Sequence, residues 1–206
     1  LRKKKEESEE DYNKRIEKAE QRARKIVDEG IIQRFWELVN LFPKITSPEL
    51  EQRLECFIMN ATPGQFFMMQ QAIFESATPY LLEDTRVLSL LKTLSGKKLG
   101  LQVKGVYEST VSFCDNYFEI ERGGCDGVPI ISVETRRDYA DAILNLKDPV
   151  KMILQRRIRA THKLTLLRWT LPHIDILRDR DLFDKYLSYQ PIVEEVLECE
   201  LVKMGF

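Results

Sequence analysis

Tyr12, Ile16, Ala19, Ala23 and Ile26 recur at spacings of 4, 3, 4 and 3 along an otherwise charged stretch. That is a narrow heptad seam of about two heptads, and it predicts a helix that docks by one side on a partner or a second copy. The first thirty residues hold ten Lys+Arg and nine Asp+Glu, closely interleaved. Pairs such as Glu10 and Lys14 suit exposed i,i+4 ion pairs. Residues 1–30 are therefore read as a charged helical arm, bent or ended at Gly30. Beyond it, Ile31, Phe35, Leu38, Val39 and Phe42 keep helical spacing until Pro43 stops the run.

Three helix starts of one kind follow: Thr46-Ser47-Pro48, Thr62-Pro63 and Thr78-Pro79. Each sets a hydroxyl that can cap free N–H groups beside a proline that the first helical turn tolerates. Thr62 with Gln65 fits a capping box. Leu50, Leu54, Phe57 and Ile58 line the first helix; Phe66, Phe67, Met69, Ile73, Phe74 and Ala77 the second; Leu81, Leu88, Leu91 and Leu94 the third, with Gly96 as its C-terminal stop. Phe66-Phe67-Met68-Met69 covers more than one helix face, which suits burial between layers or a patch for a partner.

Between Gly96 and Val133 the period changes from helical to alternating. Leu99, Leu101 and Val103 alternate, then Val111 and Phe113, then Phe118 and Ile120. Asp115-Asn116 is placed as a two-residue hairpin turn, Gly123 to Gly127 as a looser turn, and Val128 to Val133 as a last strand whose Pro129 marks an edge or a start. Helical spacing returns at Thr135, with Tyr139, Ala142, Ile143 and Leu146 on one face. Asp148-Pro149 opens a longer helix running to about Thr170. Asp181 caps a short helix to Leu187, and Pro191 opens a final helix carrying Ile192, Val196, Cys199 and Val202. The fold predicted is α+β and mostly α-helical: short helices at 31–95 and 135–204 around a small antiparallel β-meander at 97–133, with the arm ahead of a compact unit spanning 31–206.

Composition narrows the function. Of 206 residues, 32 are Lys+Arg and 33 Asp+Glu, for a formal net charge of -1. That excludes a uniformly basic nucleic-acid-binding chain and an acidic tail protein. No stretch reaches 18 apolar residues, so no membrane-spanning helix is expected. Cys56, Cys114, Cys125 and Cys199 are too scattered for a zinc site or a disulfide framework. They read as reduced thiols, placing the protein in the cytoplasm or an organelle interior, with Cys125 the most exposed. The chain begins Leu1-Arg2-Lys3 without Met, so it is expected to be a fragment, a processed form or the ordered part of something longer.

Charge is separated locally. Residues 147–180 carry nine Lys/Arg against three Asp, and 181–206 six acidic residues against two Lys. On a continuous helix, Arg156, Arg159 and Lys163 share one side, opposite Val150, Ile153, Leu154 and Leu164. This basic stripe suits an acidic protein surface or RNA phosphates, though no aromatic residue interleaves it as a base-stacking platform requires. Arg157 and Arg168 fall on the apolar side and need acceptors, with Asp138, Asp141, Asp175 or Asp184 as candidates. His162 and His173 sit in no metal or catalytic frame, and no cofactor or metal is called for. Glu83-Asp84 and Glu194-Glu195 are adjacent in sequence and point apart on a helix. The glycine-rich loop at 123–127 leads into a strand, not a helix, so it is no phosphate loop.

The leading expectation is a non-enzymatic structural or adaptor subunit of a larger intracellular assembly, with other protein subunits as partners. Its arm would dock by Tyr12, Ile16, Ala19, Ala23 and Ile26, and its basic helix by Arg156, Arg159 and Lys163. The alternative is an RNA-associated protein of a ribonucleoprotein particle, using the same basic helix at 149–170. An enzyme would need a pocket that brings His162 or Cys125 to a carboxylate.

Overall fold

The computed structural model describes residues 45–206 apart from 145, 171, 173, 174, 177 and 178. The arm, its seam at Tyr12, Ile16, Ala19, Ala23 and Ile26, and the run from Ile31 to Phe42 lie outside the described residues. The rest is an α+β fold in which helices flank a small, open, five-stranded mixed sheet.

Helix α1 (Pro48–Asn60) starts where Ser47 Oγ accepts from the Leu50 amide at 3.3 Å. Helix α2 (Pro63–Leu81) starts with the full capping box: the Gln65 amide donates to Thr62 Oγ1 at 3.3 Å, and the Thr62 amide donates to Gln65 Oε1 at 2.8 Å. The third expected start does not occur. Pro79 lies inside α2, where it has no N–H to give the Glu75 carbonyl one turn back, and Thr78 Oγ1 donates back to the Phe74 carbonyl at 2.5 Å. Helix α3 (Thr85–Leu94) begins instead at the Asp84 cap, and Gly96 follows it at a φ of 76°.

Strands β1 (Lys98–Val103), β2 (Tyr107–Phe113) and β3 (Phe118–Arg122) form the antiparallel part of the expected meander, with Asp115-Asn116 at the β2–β3 turn. The next strand departs from it. β4 (Ile130–Val133) pairs parallel to β1, so the order is β3-β2-β1-β4-β5 and the sheet is mixed. The loop at 123–127 is therefore a crossover. Gly123, Gly124 and Gly127 turn it with φ of 76°, 75° and 74°, a region costly for other residues. Cys125 is not exposed: at 7% exposure it packs on Gly100, where a Cβ would come within 2.9 Å of its sulfur. Burial pushes the thiol pKa up. Cys56 and Cys199 are the exposed thiols. Pro129 marks the start of an interior strand, and its carbonyl accepts from the Gly100 amide at 2.8 Å.

Helix α4 (Arg136–Ile143) starts at the Thr135 cap; it ends before Leu146, which is exposed. Helix α5 (Pro149–Leu154), strand β5 (Ile158–Ala160) and helix α6 (Lys163–Thr170) replace the expected continuous helix at 149–170. Helix α7 (Arg180–Leu187) is capped by Asp179 rather than Asp181. Helix α8 (Gln190–Met204) buries Val193, Leu197 and Leu201 in place of the expected Ile192, Val196, Cys199 and Val202. Two neighbouring apolar stripes run along α8, and the one facing α1 and α2 is the buried one.

The larger core joins α1, α2, α4 and α8 to the Val103–Tyr107 end of the first hairpin. There Phe66 is buried with Met69, Phe67 packs partly against them, and Met68 is 52% exposed. Arg136 caps the end of α1, donating to the Ile58 and Ala61 carbonyls at 2.8 and 2.9 Å with its guanidinium 5.5 Å from the Phe66 ring centre. Tyr107, Val103, Val133 and Ile158 form one buried row across four strands. Val133 and Ile158 pack with Ala142 and Met152 in a second cluster.

Helix α7 is held by ion pairs at the surface. Arg86 lies between Asp84 and Asp179, and Lys185 is 3.0 Å from Glu83, which also accepts from Tyr189 at 2.7 Å. Arg86 keeps Asp84 and Asp179 below the usual carboxylate range; the Tyr189 hydroxyl, then Lys185, do the same for Glu83. A carboxyl with a lowered folded-state pKa contributes stability that is whole above its unfolded value and lost as pH falls through the folded one. We expect an NMR titration to place all three midpoints below the ordinary values of about 3.9 for Asp and about 4.3 for Glu. The contacts to α7 should loosen only in acid below that range; ordinary midpoints would contradict the clasp.

Candidate docking surface

The segment expected to be one basic helix is built from three short elements along an open edge of the sheet. Asp148 opens α5, its Oδ1 accepting from the Lys151 amide at 3.4 Å, with Pro149 in the first turn. The helix closes when the Arg157 amide reaches the Met152 carbonyl at 2.9 Å and the Arg156 amide the Ile153 carbonyl at 3.0 Å. This pair of bonds is a Schellman closure, which sets the residue past the helix in the left-handed region. The same closure ends α8, where Gly205 takes a φ of 83°. Here Arg156 takes it, at 60°, despite the steric cost to a residue with a Cβ.

Strand β5 then pairs antiparallel with β4. Arg157 accepts from the Glu134 amide at 3.0 Å, and the Thr161 amide donates to the Ile130 carbonyl at 2.9 Å. His162, at a φ of 47°, turns the chain into α6. Two non-glycine residues in the left-handed region thus bracket one three-residue strand. Such strain persists only where its surroundings over-determine it, and it concentrates at functional segments.

The cations of this segment fall into two sets. Arg157 Nη1 is 3.0 Å from Asp138 Oδ1, Arg159 Nε is 2.8 Å from Glu134 Oε1, and Lys147 pairs with Asp141. Lys104 also binds Glu134, and with Arg159 it holds that carboxyl below its usual range. Of the four acceptors offered for Arg157 and Arg168, Asp138 and Asp141 meet Arg157; Arg159, expected on the docking face, is occupied within the chain. Lys151, Arg156, Lys163 and Arg168 form the other set: exposed, with no ion pair among the described residues. Arg168 is therefore exposed and makes none of the ion pairs foreseen for it.

The apolar residues differ most from expectation. Leu154 and Leu164, assigned to the buried side of a continuous helix, are 77% and 84% exposed. Leu146, Ile153 and Leu167 are also exposed, while Met152 is buried. Breaking the helix at Arg156 and again at His162 rotates these leucines outward. The outcome is a run in which exposed cations and exposed aliphatic side chains alternate along the chain, called the β5 ridge below, and not a purely basic stripe. Lys151, Leu154, Leu164 and Arg168 were missed as site residues because no glycine or proline announces the break.

Among the described residues no other arrangement suggests chemistry. A shallow groove of about 470 Å3 beside the β2–β3 hairpin is lined by Lys97, Lys98, Asp115 and Glu119, charges of both signs. His162 is exposed and lies 3.2 Å from Thr161 Oγ1; His173 lies outside the described residues. Among the described residues no group of three His, Cys, Asp or Glu is placed to hold a metal ion, and no helix is long and apolar enough to cross a membrane.

No protein-family model matches the chain, and no curated protein matches it. Among solved structures, one described as "UbiJ-SCP2 Ubiquinone synthesis protein" aligns with a TM-score of 0.40 at 12% identity. The alignment covers 53% of this chain and 96% of that one. At that TM-score and identity the likeness carries no weight on function.

Proposed function

We propose that the chain is a non-enzymatic structural or adaptor subunit, and that the β5 ridge docks it on a negatively charged surface of a larger intracellular assembly. The observation that supports this is the interleaving of free Lys151, Arg156, Lys163 and Arg168 with exposed Leu154 and Leu164. Cations steer the encounter and fix its register, and aliphatic side chains add area removed from water. Phosphate contact alone gives exposed leucines no role, so the ridge favours this reading over RNA. The seam at Tyr12, Ile16, Ala19, Ala23 and Ile26 would supply a second contact.

The test is gradient sedimentation of native extract, with and without ribonuclease, using the intact chain and a Leu154→Ser/Leu164→Ser variant. Both leucines are exposed, so the variant should keep its thermal midpoint. The intact chain is expected in a large, ribonuclease-resistant particle, and the variant as a free species near 24.2 kDa. An intact chain that runs free, or a particle that ribonuclease collapses, would defeat the proposal.

A further inference from the structure

We infer that the negatively charged surface met by the β5 ridge is the headgroup layer of a membrane rich in anionic phospholipid. This rests on the docking reading above and names its partner.

Three observations carry it. The first is the kind of apolar residue exposed. Leu146, Ile153, Leu154, Leu164 and Leu167 are all aliphatic, whereas the anchors of protein interfaces are chiefly Trp, Tyr and Arg, with Leu under-represented. The aromatic residue of this segment, Trp169, is half-buried, with Lys97 Nζ 5.5 Å from its ring centre.

The second is how far the side chains stand out. At 77% and 84% exposure, Leu154 and Leu164 touch little of their own protein. A rigid partner would need a fitted pocket for each, while the fluid boundary between headgroups and acyl chains adapts to isolated side chains.

The third is charge. From residue 149 to 170 the sequence contains no Asp or Glu. The four free cations alternate with the leucines: Lys151 precedes Leu154, Arg156 follows it, and Lys163 and Arg168 bracket Leu164 and Leu167. Long basic side chains can lie along an apolar surface and keep their charges among phosphates. Near an anionic leaflet each such residue strengthens attachment about fivefold, and the attraction decays within a Debye length.

The test is flotation of the full chain with vesicles of phosphatidylcholine alone and of phosphatidylcholine with about 30% phosphatidylserine, near the roughly 0.15 M ionic strength of cells. The chain should float with the anionic vesicles and not the neutral ones, and be released as salt is raised. Leu154→Ser/Leu164→Ser should cut the bound fraction at least about tenfold, as should Lys163→Glu/Arg168→Glu, with unchanged circular dichroism and thermal midpoint. The serine variant is decisive because the N-terminal arm also carries lysines.

Absence of anionic-vesicle binding, or binding that the serine variant retains, overturns the inference. If vesicles fail while the chain still enters a ribonuclease-resistant particle through the same leucines, the membrane is refuted and the adaptor reading stands on a protein partner. RNA binding equal in intact chain and serine variant, with no vesicle binding, defeats both.

Discussion

Phe57→Ala is expected to lower the free energy of unfolding by about 3–5 kcal/mol, the range for removing a large buried aromatic side chain. Phe57 is 2% exposed at the meeting of α1, α2 and the C-terminal residues. Its ring centre lies 5.3 Å from that of Phe66, in a tilted arrangement, and 5.2 Å from that of Phe206, edge-on. The void left by alanine would face side chains that α1, α2 and α8 hold from three directions, so it cannot readily collapse. Against a usual total of about 5–15 kcal/mol for a domain, this is a large fraction. Urea unfolding measures it through the midpoint; Phe57→Leu, which keeps most of the volume, should cost under about 1.5 kcal/mol. A shift as small for alanine as for leucine would mean that Phe57 does not organise this core.

Asp141→Ala is expected to cost about 2–3 kcal/mol. Asp141 is 1% exposed on α4 and gathers cations from three places. Lys147 donates to its Oδ2, Arg157 Nη1 stands 4.0 Å from the same oxygen, and Arg137 Nε lies 3.2 Å from Oδ1. That last contact has an ion-pair distance but is misaligned for a hydrogen bond, so Oδ1 has no hydrogen-bond donor. All three cations are 40% exposed or more and can return to water when the carboxylate is removed. The cost therefore stays below that of stranding a fully buried charge. Because Asp138 and Asp141 together hold Arg157 at the head of β5, amide exchange in β5 should accelerate more in this variant than exchange in α8. Equal acceleration in both would show that Asp141 supports the fold generally and not this edge.

What was legible in the sequence had local chemistry behind it. Ser47, Thr62 and Thr135 announced their helices because a side-chain oxygen meets an N–H three residues on, whatever surrounds it. The β2–β3 hairpin was legible for a similar reason: its strands are neighbours in sequence and its turn residues suit the turn. The parallel partner of β1 was not, because nothing near Ile130 states which strand it will meet. Cys125 packs over Gly100 beside that pairing, a contact no local pattern announces. The break at Arg156 was hidden because the left-handed position is filled by a residue with a Cβ, and pairing of Ile158 opposite Val133 overrides a helical pattern. The same error concealed the docking ridge: a wheel drawn through Arg156 and His162 put Leu154 and Leu164 inside. On α8 the right helix was found with the wrong stripe, since both stripes are apolar and only α1 and α2 decide between them.

The packing of α8 on α1 and α2 bears on how the protein is made. Arg53 donates to the Phe206 carbonyl, Gln65 to the Met204 carbonyl, and Glu194 accepts from Thr46. The first helices described and the last one therefore complete each other across nearly the whole span between them. During synthesis the hairpin and α4 can cover part of the apolar faces of α1 and α2, but the part that α8 covers stays bare until the residues up to Phe206 have followed. For that interval Phe57, whose ring meets Phe206, belongs to the surface a chaperone would hold. A chain cut short after α6 would carry all five strands described and still lack the helix that closes this layer.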